Sequence, residues 1–340
     1  MNSRSHQRTD GLNRRRFLAN TCALGALSFL GLPRTVAAEP PPETTKIRLV
    51  HTPAICFAPQ YLAEEFLHLE GFTEVEYVHA ELRGIDLIRD GRADISMEAT
   101  PNYLPALDRG EPLVVLAGIH AGCYELFGHE GIAAIRDLKG KRAAISVLGA
   151  IEHIYLASML AYVGIDPKQV QWLEAGSNPD AMRLFAERKA DAFLGFAPQP
   201  QELRAKKIGR VIVNMTQDRP WSQYFCCSLG SNREFVAKNP VATKRALRAF
   251  LKAADICSRE PQRVARFLAT RKYEPRYEIG LEVLESLPYD RWRHADPEDT
   301  VRFLALRLRE VGMIKAAPQT LIAEGTNWRF LNELKRELKA

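Results

Sequence analysis

The sequence predicts an α/β protein with largely parallel sheets, and two observations support this fold class. From residue 46 onward, short β-rich runs alternate with helical runs. Strands that alternate with helices in this way form parallel sheets joined by crossover helices. The 340 residues are 46% hydrophobic and 26% charged, which are ordinary globular values. This composition excludes collagen-like chains, wholesale disorder and small disulfide-rich folds, and the length favours two domains.

The predicted strands and helices follow one another along the chain and are separated by turns that contain Gly, Pro and Asp. The predicted strands cover residues 47–51, 75–79, 93–98, 113–119, 142–147, 170–174, 192–196, 211–215 and 224–229. Helical patterns between them cover residues 59–69, 85–90, 103–108, 151–163, 179–188 and 199–206. Helices alone are expected after residue 231.

Three capping patterns define the start of this helical part. Ser231 and Glu234 have the spacing of a capping box, in which each side chain satisfies a free backbone N–H of the other. Asn239 precedes a proline, which predicts a helix that starts at Pro240. Asp296 precedes a proline in the same way and predicts a third helix.

Residues 1–38 have the three parts of a signal peptide. The paired Arg15 and Arg16 followed by Phe17 resemble the twin-arginine export signal, and the small residues up to Ala38 predict cleavage near that position. A membrane anchor is the alternative, but the apolar run of about 14 residues is shorter than the roughly 20 that a bilayer span needs. Residues 39–45 form a Pro-rich spacer.

The net charge of +6 does not indicate a nucleic-acid-binding face. Residues 1–38 contain six Arg and one Asp, so they carry +5 and leave only +1 for the rest of the chain. The basic residues therefore belong to the leader, and no nucleic-acid partner is expected.

The motifs of common catalytic and metal sites are missing from the sequence. There is no P-loop, no dinucleotide-binding glycine motif and no G-x-S-x-G motif. Five cysteines follow the leader without C-x-x-C spacing, and the histidines lack the spacing of metal ligands. We therefore expect a binding protein rather than an enzyme, with no cofactor, no metal and buried free thiols.

Five segments, taken together, carry a resemblance to a known family. They are an opening strand and loop at 50–53 that leads to 59–63, a helix-Gly-x-x-Asp-strand turn at 87–95, the stretch 135–142, a second such turn at 186–192, and the run 235–250. Their order and spacing resemble the solute-binding components of ABC transporters of the nitrate/sulfonate/taurine type. That group also includes binders of pyrimidine vitamin precursors.

The resemblance implies a two-lobed periplasmic-binding-protein fold of type II, in which each lobe is a mostly parallel sheet flanked by helices. Lobe 1 would comprise residues 46–121 and 225–340, and lobe 2 residues 122–224, with two chain crossings as the hinge. Loops at the carboxyl ends of the strands would then meet in a cleft, where helix starts direct backbone N–H groups at a ligand.

In lobe 1, the candidate ligand-binding residues follow the predicted strands. Thr52 offers a hydroxyl group and Phe57 an aromatic wall, although Phe57 could also cap the core. Arg83 could clamp an anion with two hydrogen bonds, or could pair with Glu81 instead. Thr100 and Asn102 follow the third strand, where Thr100 could also be a helix N-cap.

The remaining candidates lie at the first crossing and in lobe 2. His120 precedes the crossing, and Phe196 ends a strand and could close over a ligand. Gly149 would allow close approach of the backbone to a ligand. Glu152 argues against a purely anionic ligand, and His153 could donate or accept a hydrogen bond.

The resemblance implies a monomeric periplasmic receptor for a small solute, which delivers it to a membrane permease driven by a separate ATPase. The expected solute is an organic anion, a sulfonate or an aromatic heterocycle. Two alternatives are a periplasmic ligand sensor and an enzyme like the fungal pyrimidine-precursor synthases. The enzyme would use Cys226 and Cys227, which match part of a cysteine run in those synthases. Adjacent residues of a strand point to opposite faces, so one of the two is expected to face the cleft.

Overall fold

The computed structural model describes residues 39–52, 54–79 and 83–339. The predicted leader and its cleavage site at Ala38 lie outside these residues, as does Glu81. The chain from Pro41 onward is one compact unit. Within the described residues, each helix is too short or too polar to cross a membrane.

The strands have bounds close to those predicted, with one addition. They are β1 (Lys46–His51), β2 (Glu74–His79), β3 (Ile95–Ala99), β4 (Leu113–Ala121), β5 (Tyr124–Gly128), β6 (Arg142–Ile145), β7 (Gln171–Glu174), β8 (Ala192–Phe196), β9 (Arg210–Asn214) and β10 (Phe225–Asn232). The sequence pattern missed β5, because glycines at 122 and 128 bound this short run and suggest a turn.

The helices likewise match the predicted pattern and dominate the last hundred residues. They are α1 (Ala58–Leu69), α2 (Gly84–Arg89), α3 (Thr100–Asp108), α4 (Ile151–Tyr162), α5 (Asn178–Ala186), α6 (Gln199–Ala205), α7 (Arg233–Lys238), α8 (Pro240–Arg259), α9 (Pro261–Thr270), α10 (Tyr277–Ser286), α11 (Pro297–Glu310), α12 (Pro318–Gly325) and α13 (Arg329–Glu337).

The strands form two groups. In the first, β1 pairs with β2 in parallel, and β10 lies between β3 and β4, antiparallel to both. The second is a five-stranded sheet in the order β7-β6-β8-β5-β9, where β6 is parallel to β7 and β8. Strand β5 is antiparallel to both of its neighbours in this sheet, β8 and β9. The predicted lobe boundaries separate these two groups of strands, and the boundaries themselves stay a prediction.

Strand β10 is the buried centre of the first group. All eight of its residues are buried, and its polar side chains bond to neighbouring elements. Ser231 Oγ donates to the Asp94 carbonyl at 2.5 Å, and Asn232 Nδ2 donates to the carbonyls at the end of α2. Buried hydrogen bonds of this kind fix the position of a strand because leaving them unmade costs free energy.

The two Asp-containing turns that the sequence singled out build the same arrangement in both groups of strands. Asp94 directly precedes β3, and its carboxylate accepts from the Arg48 backbone N–H at 2.8 Å and from Arg48 Nη2 at 2.6 Å. Asp191 directly precedes β8 and accepts from the Arg142 backbone N–H at 2.9 Å and from Arg142 Nη2 at 2.8 Å. Each aspartate therefore joins the start of one strand to an earlier strand of its group.

Two of the predicted caps are replaced by others. Ser231 is not the N-cap of α7, because its hydroxyl is bound to Asp94; Asn232 takes that role and accepts from the Glu234 N–H. At the start of α8, the carboxylate of Glu43 accepts from the first free N–H groups, at 2.9 and 2.8 Å. The Pro-rich spacer thus packs onto a helix of the C-terminal part. The predicted cap by Asp296 is confirmed.

Charged side chains connect α6, which follows β8, with the region of α10. Arg204 Nη2 lies 2.5 Å from Glu282 Oε1, and its other amino group pairs with Glu125 of β5. Arg276 Nη1 lies 2.8 Å from Glu202 Oε1. These ion pairs link the five-stranded sheet and its helices to the C-terminal helices.

The two aspartate pairs generate a prediction about stability. Asp94→Asn should lower the free energy of unfolding by about 2 kcal/mol, and Asp191→Asn by about 1 kcal/mol. The difference follows from burial, because the Asp94 side chain is 7% exposed and that of Asp191 is 29% exposed. Urea unfolding of both variants measures it. Equal losses, or a larger loss for Asp191→Asn, would contradict the assignment.

Candidate functional site

A buried carboxyl group lies at the carboxyl end of β3. Glu98 is 6% exposed, and Asn102 Nδ2 donates to its Oε2 at 3.4 Å. Its other oxygen faces Gly84, where an added Cβ would lie only 2.2 Å away. Burial raises the pKa of Glu98 to about 7. A carboxyl group with such a pKa exists in both forms near neutral pH and can donate or accept a hydrogen bond.

Arg83 lies near this carboxyl group and is half exposed. Its guanidinium donates to both carboxylate oxygens of Asp86, at 3.1 and 2.8 Å. The partner in the structure is thus Asp86, and Glu81 lies outside the described residues. The Arg83 charge also acts on Glu98, whose pKa it lowers against the larger effect of burial. Arg83 is therefore placed at this strand end, but its donors are already shared with Asp86.

Thr100 and Thr52 also lie at the strand ends. The Thr100 hydroxyl lies 2.7 Å from the Ser228 hydroxyl, and both residues are buried. Ala99, and not Thr100, is the N-cap of α3. The backbone of Thr52 holds the hydroxyl of Tyr61, which donates to the Thr52 carbonyl at 2.6 Å. Phe57 is buried in the core.

The loop after β6 brings a second carboxyl group into the interior. Glu152 Oε1 accepts from the Ser146 backbone N–H at 2.6 Å and from the Ser146 hydroxyl. Its second oxygen, Oε2, is buried and has no hydrogen-bond partner among the described residues. A buried carboxyl oxygen without a partner is costly, and a ligand with an N–H or O–H group would satisfy it.

The same loop explains the positions of Gly149 and His153. Gly149 has a φ of +83°, which a glycine adopts without strain. Its N–H donates to His153 Nδ1 at 3.0 Å, so the neutral ring carries its proton on Nε2. Burial lowers the pKa of His153. The ring also stands edge-on to Trp172, with 4.6 Å between the ring centroids.

Three backbone N–H groups of this loop, those of Ser146, Leu148 and Gly149, are bound by the protein's own side chains. Glu152 accepts from Ser146, His153 accepts from Gly149, and Glu174 Oε2 accepts from the Leu148 N–H at 2.9 Å. The sequence predicts that such N–H groups are directed at an anion or another polar group of a ligand. The structure instead surrounds them with two carboxylates and an imidazole, which favours ligands that donate hydrogen bonds.

Aromatic residues pack where the chain crosses between the two groups of strands. The Tyr124 ring lies 5.1 Å from that of Tyr155 and 5.6 Å from that of Phe196. Phe196 therefore joins an aromatic group beside the crossing.

A group of thiols lies beside this crossing, and the sequence pattern did not predict it. Cys56, Cys123, Cys226, Cys227 and the ring of His120 come together from three strand ends and one short 3-10 helix. A ring nitrogen of His120 and the sulfurs of Cys56 and Cys227 all lie within 4.8 Å of one another. The sulfurs of Cys123, Cys226 and Cys227 form a second such group. We call these five residues the thiol cluster.

The expectation that Cys226 and Cys227 point to opposite faces is wrong. Their sulfur atoms lie 3.9 Å apart and are both buried. The pairing of β10 with β4 shifts register between Phe225 and Cys227 and again after Cys227. Such irregularities interrupt the strict alternation of a strand and redirect its side chains.

Contacts within the thiol cluster shift the pKa values of Cys56 and His120. Cys123 and Cys227, and then His120, lower the pKa of Cys56 well below its usual value. Burial disfavours the charged form of His120, but the neighbouring Cys56 outweighs it and raises the pKa of the ring. The cluster thus favours a thiolate at Cys56 beside a protonated imidazole.

The sequence contains a signal for the buried carboxyl group at Glu98 but none for the thiol cluster. Glu98 could have been found, because it is the one charge in an otherwise uncharged strand that is buried along its whole length. The thiol cluster could not, since its residues lie at unrelated spacings and meet only through the fold.

The raised pKa of Glu98 predicts a pH dependence of stability. Its value of about 7 in the folded protein exceeds the ordinary 4.5. The folded state therefore binds this proton more tightly, so the contribution is full below pH 4.5 and is lost as the pH rises through 7. Between these limits the wild type should lose about 3 kcal/mol more than Glu98→Gln.

Urea unfolding of the wild type and Glu98→Gln over a pH series measures this difference. Glu74→Gln, at the exposed start of β2, is the control and should follow the wild-type profile. Parallel profiles for the wild type and Glu98→Gln would show that the carboxyl group titrates normally.

Several proteins are similar to this chain. Four 4-amino-5-hydroxymethyl-2-methylpyrimidine phosphate synthases of Saccharomyces cerevisiae are 26% identical over 190 residues, which cover 52% of this chain and 55% of each synthase. The nitrate/nitrite binding protein NrtA of Nostoc sp. is 23% identical over 269 residues, which cover 70% of this chain and 60% of NrtA. The chain thus spans little more than half the length of these curated relatives.

Solved structures agree with the fold. The periplasmic nitrate-binding protein NrtA from Synechocystis PCC 6803 has a TM-score of 0.70 at 17% identity, covering 88% of this chain and 90% of that protein. The alkanesulfonate-binding protein SsuA from Xanthomonas axonopodis pv. citri, bound to MOPS, has a TM-score of 0.64 at 18% identity, covering 86% and 100%. These likenesses establish the two-lobed fold of periplasmic binding proteins.

The family is established separately, by a match that covers more than half of the chain. The family model described as "NMT1/THI5 like" matches residues 57–264. This range runs from the residue before α1 into α9 and includes the strands β2 to β10, both carboxyl groups and most of the thiol cluster. The chain belongs to the NMT1/THI5-like family.

Proposed function

We propose that this protein is the periplasmic solute-binding component of an ABC importer. It captures a small organic solute in the cleft between lobe 1, at 46–121 and 225–340, and lobe 2, at 122–224. A membrane permease with a separate ATPase then receives the solute. The protein acts as a monomer, exported through its twin-arginine leader, and is not an enzyme.

One observation carries this proposal: one buried carboxyl group lies near the end of β3, and another lies in the first turn of the helix that follows β6. Glu98 is the next-to-last residue of β3, and Glu152 is the second residue of α4, which follows β6. Helices α3 and α4 pack against each other. In α/β folds, ligands bind outside the carboxyl ends of such strands. Contact with both carboxyl groups would favour the closed lobes and so couple binding to closure.

The chemistry of these groups narrows the solute. Glu98, Glu152 and Glu174 provide acceptors, and the N–H groups of Ser146, Leu148 and Gly149 in the β6 loop are already bound. A simple anion such as nitrate or a sulfonate would meet carboxylates there. The geometry favours the heterocyclic end of the expected range, a compound whose N–H or amino groups donate to the two glutamates. Arg83, Thr100, Asn102, Gly149, His153 and Phe196 complete the proposed site.

A second function rests on the cysteines and on the yeast relatives. Cys226 and Cys227 are buried beside Tyr155, whose hydroxyl donates to the Cys226 carbonyl at 3.1 Å. A synthase-like enzyme would need these thiols for turnover. Loss of turnover in Cys226→Ser and Cys227→Ser would favour this function, whereas unchanged solute affinity in the same variants would favour the receptor. A periplasmic sensor would bind its solute in the same way and would differ only in passing the closed form to a signalling partner instead of a membrane permease.

A thermal-shift screen of the purified protein tests the receptor. The panel contains nitrate, alkanesulfonates, aromatic acids and amino-substituted pyrimidines. A solute at 100 times its dissociation constant stabilises the folded state by about 2.7 kcal/mol, which raises Tm by roughly 5 °C. We expect the amino-substituted heterocycles to do so and the anions to fail.

The hit is then titrated against Glu98→Gln and Glu152→Gln. Each should weaken binding by roughly 10-fold or more, because a charge-assisted hydrogen bond is lost. Glu74→Gln is the control. A hit that binds both glutamine variants as tightly as the wild type would refute the site, and a screen in which every solute fails would refute the receptor.

A further inference from the structure

We propose that the thiol cluster, Cys56, His120, Cys123, Cys226 and Cys227, binds a soft, thiophilic metal ion, and that Cu(I) fits it best. The cluster contains neither carboxyl group of the proposed solute site, although Cys227 pairs with Ala99, the residue after Glu98. Metal binding here goes beyond the proposed function, which requires no metal.

The donor set and its spacing support a metal. Two sulfurs that bind one ion at about 2.3 Å lie roughly 3.8–4.0 Å apart, and the sulfurs of Cys226 and Cys227 are 3.9 Å apart. A disulfide needs about 2.05 Å, and all the cysteines of the described part of the chain are free. Thiolates with imidazole select soft ions and exclude Mg²⁺ and Ca²⁺, which take oxygen ligands.

The imidazole gives an independent indication. His120 is fully buried, and its Nε2 has no hydrogen-bond partner among the described residues. Its other nitrogen, Nδ1, lies 3.2 Å from the Ala121 carbonyl. Metal-binding histidines typically donate one ring N–H to a carbonyl or carboxylate, which leaves the other nitrogen free for the metal. His120 has this arrangement.

A strained backbone residue and a small cavity lie at the edge of the cluster, on the side away from His120, Cys226 and Cys227, which do not line the cavity. Cys123 has a φ of +89°, which is strained for a residue with a side chain. A small cavity of about 20 Å³ lies against Cys56 and Cys123. Such a volume holds one water-sized particle and no organic solute.

The grouping of the ligands favours Cu(I) over Zn(II). The cluster consists of two sets of three ligand atoms, which share the Cys227 sulfur. Zn(II) in structural sites takes four ligands in a tetrahedron. Cu(I) accepts three ligands and bridging thiolates, so each set of three could hold one Cu(I) with Cys227 between them. Only Cys226 and Cys227 match the cysteine run of the fungal synthases; the other three ligands come from elsewhere in the chain.

The test is a titration of the reduced, full-length protein with Cu(I) alone under anaerobic conditions, against the chromogenic chelator bicinchoninate. We expect the protein to remove one or two Cu(I) per chain from the chelator. A parallel titration with Zn(II) against a zinc chelator should show weaker binding. Cu(I) left on the bicinchoninate, or tighter binding of Zn(II), would overturn the proposal.

The variants locate the ion. Cys227→Ser removes the sulfur that both sets share and should weaken Cu(I) binding by roughly 100-fold, and His120→Asn by roughly 10-fold. Cys257→Ser is the matched control, because Cys257 is also a fully buried free thiol but lies in α8 outside the cluster. An equal loss in Cys257→Ser would overturn the assignment.

A second readout covers variants that fail to fold. In the wild type, Cu(I) should protect Cys56, Cys123, Cys226 and Cys227 from iodoacetamide after partial unfolding in urea, as measured by mass spectrometry of peptides. Cys257 should be protected only as far as the added stability accounts for. Equal labelling of the four cysteines with and without Cu(I) would refute the site.

Discussion

The burial of strand β10 is the constraint on which the rest of the structure depends. The strand lies between β3 and β4 with every residue buried, so each of its polar groups must find a partner inside the protein. Ser231 and Asn232 find theirs at the start of β3 and the end of α2, and Ser228 meets Thr100 at the start of α3. The contact between Ser228 and Thr100 fixes the carboxyl end of β3, and with it Glu98. Cys227 pairs with Ala99 at this same end, so the thiol cluster lies beside the carboxyl end of β3.

The two candidate regions bury polar groups in different ways. At Glu98 and Glu152 the protein buries carboxyl groups with fewer hydrogen-bond partners than they can bind, which costs stability. In the thiol cluster, the sulfurs and the imidazole are in contact mainly with one another. Sulfur is easily desolvated, so this cluster costs less to bury than a set of carboxylates would.

Much of the fold could be predicted from the sequence, since strand and helix periodicities and the two Asp-containing turns are local signals. The two turns have similar sequences, and their aspartates form equivalent ion pairs, Asp94 with Arg48 and Asp191 with Arg142. β5 was missed because glycines mark its ends. The cap of α8 was missed because its acceptor, Glu43, lies about 200 residues away. The sites were harder for the same reason: the register shift that brings Cys226 and Cys227 together depends on strand pairing, which no local pattern encodes.

The ion pairs between α6 and the region of α10 have a consequence for how solution conditions act on the molecule. Any motion that draws the five-stranded sheet away from the C-terminal helices must separate Arg204 from Glu282 and Arg276 from Glu202. These groups are partly exposed, so dissolved ions screen them, with a Debye length of about 8 Å at physiological ionic strength. Added salt would therefore weaken these ion pairs and make it easier for the five-stranded sheet to separate from the C-terminal helices.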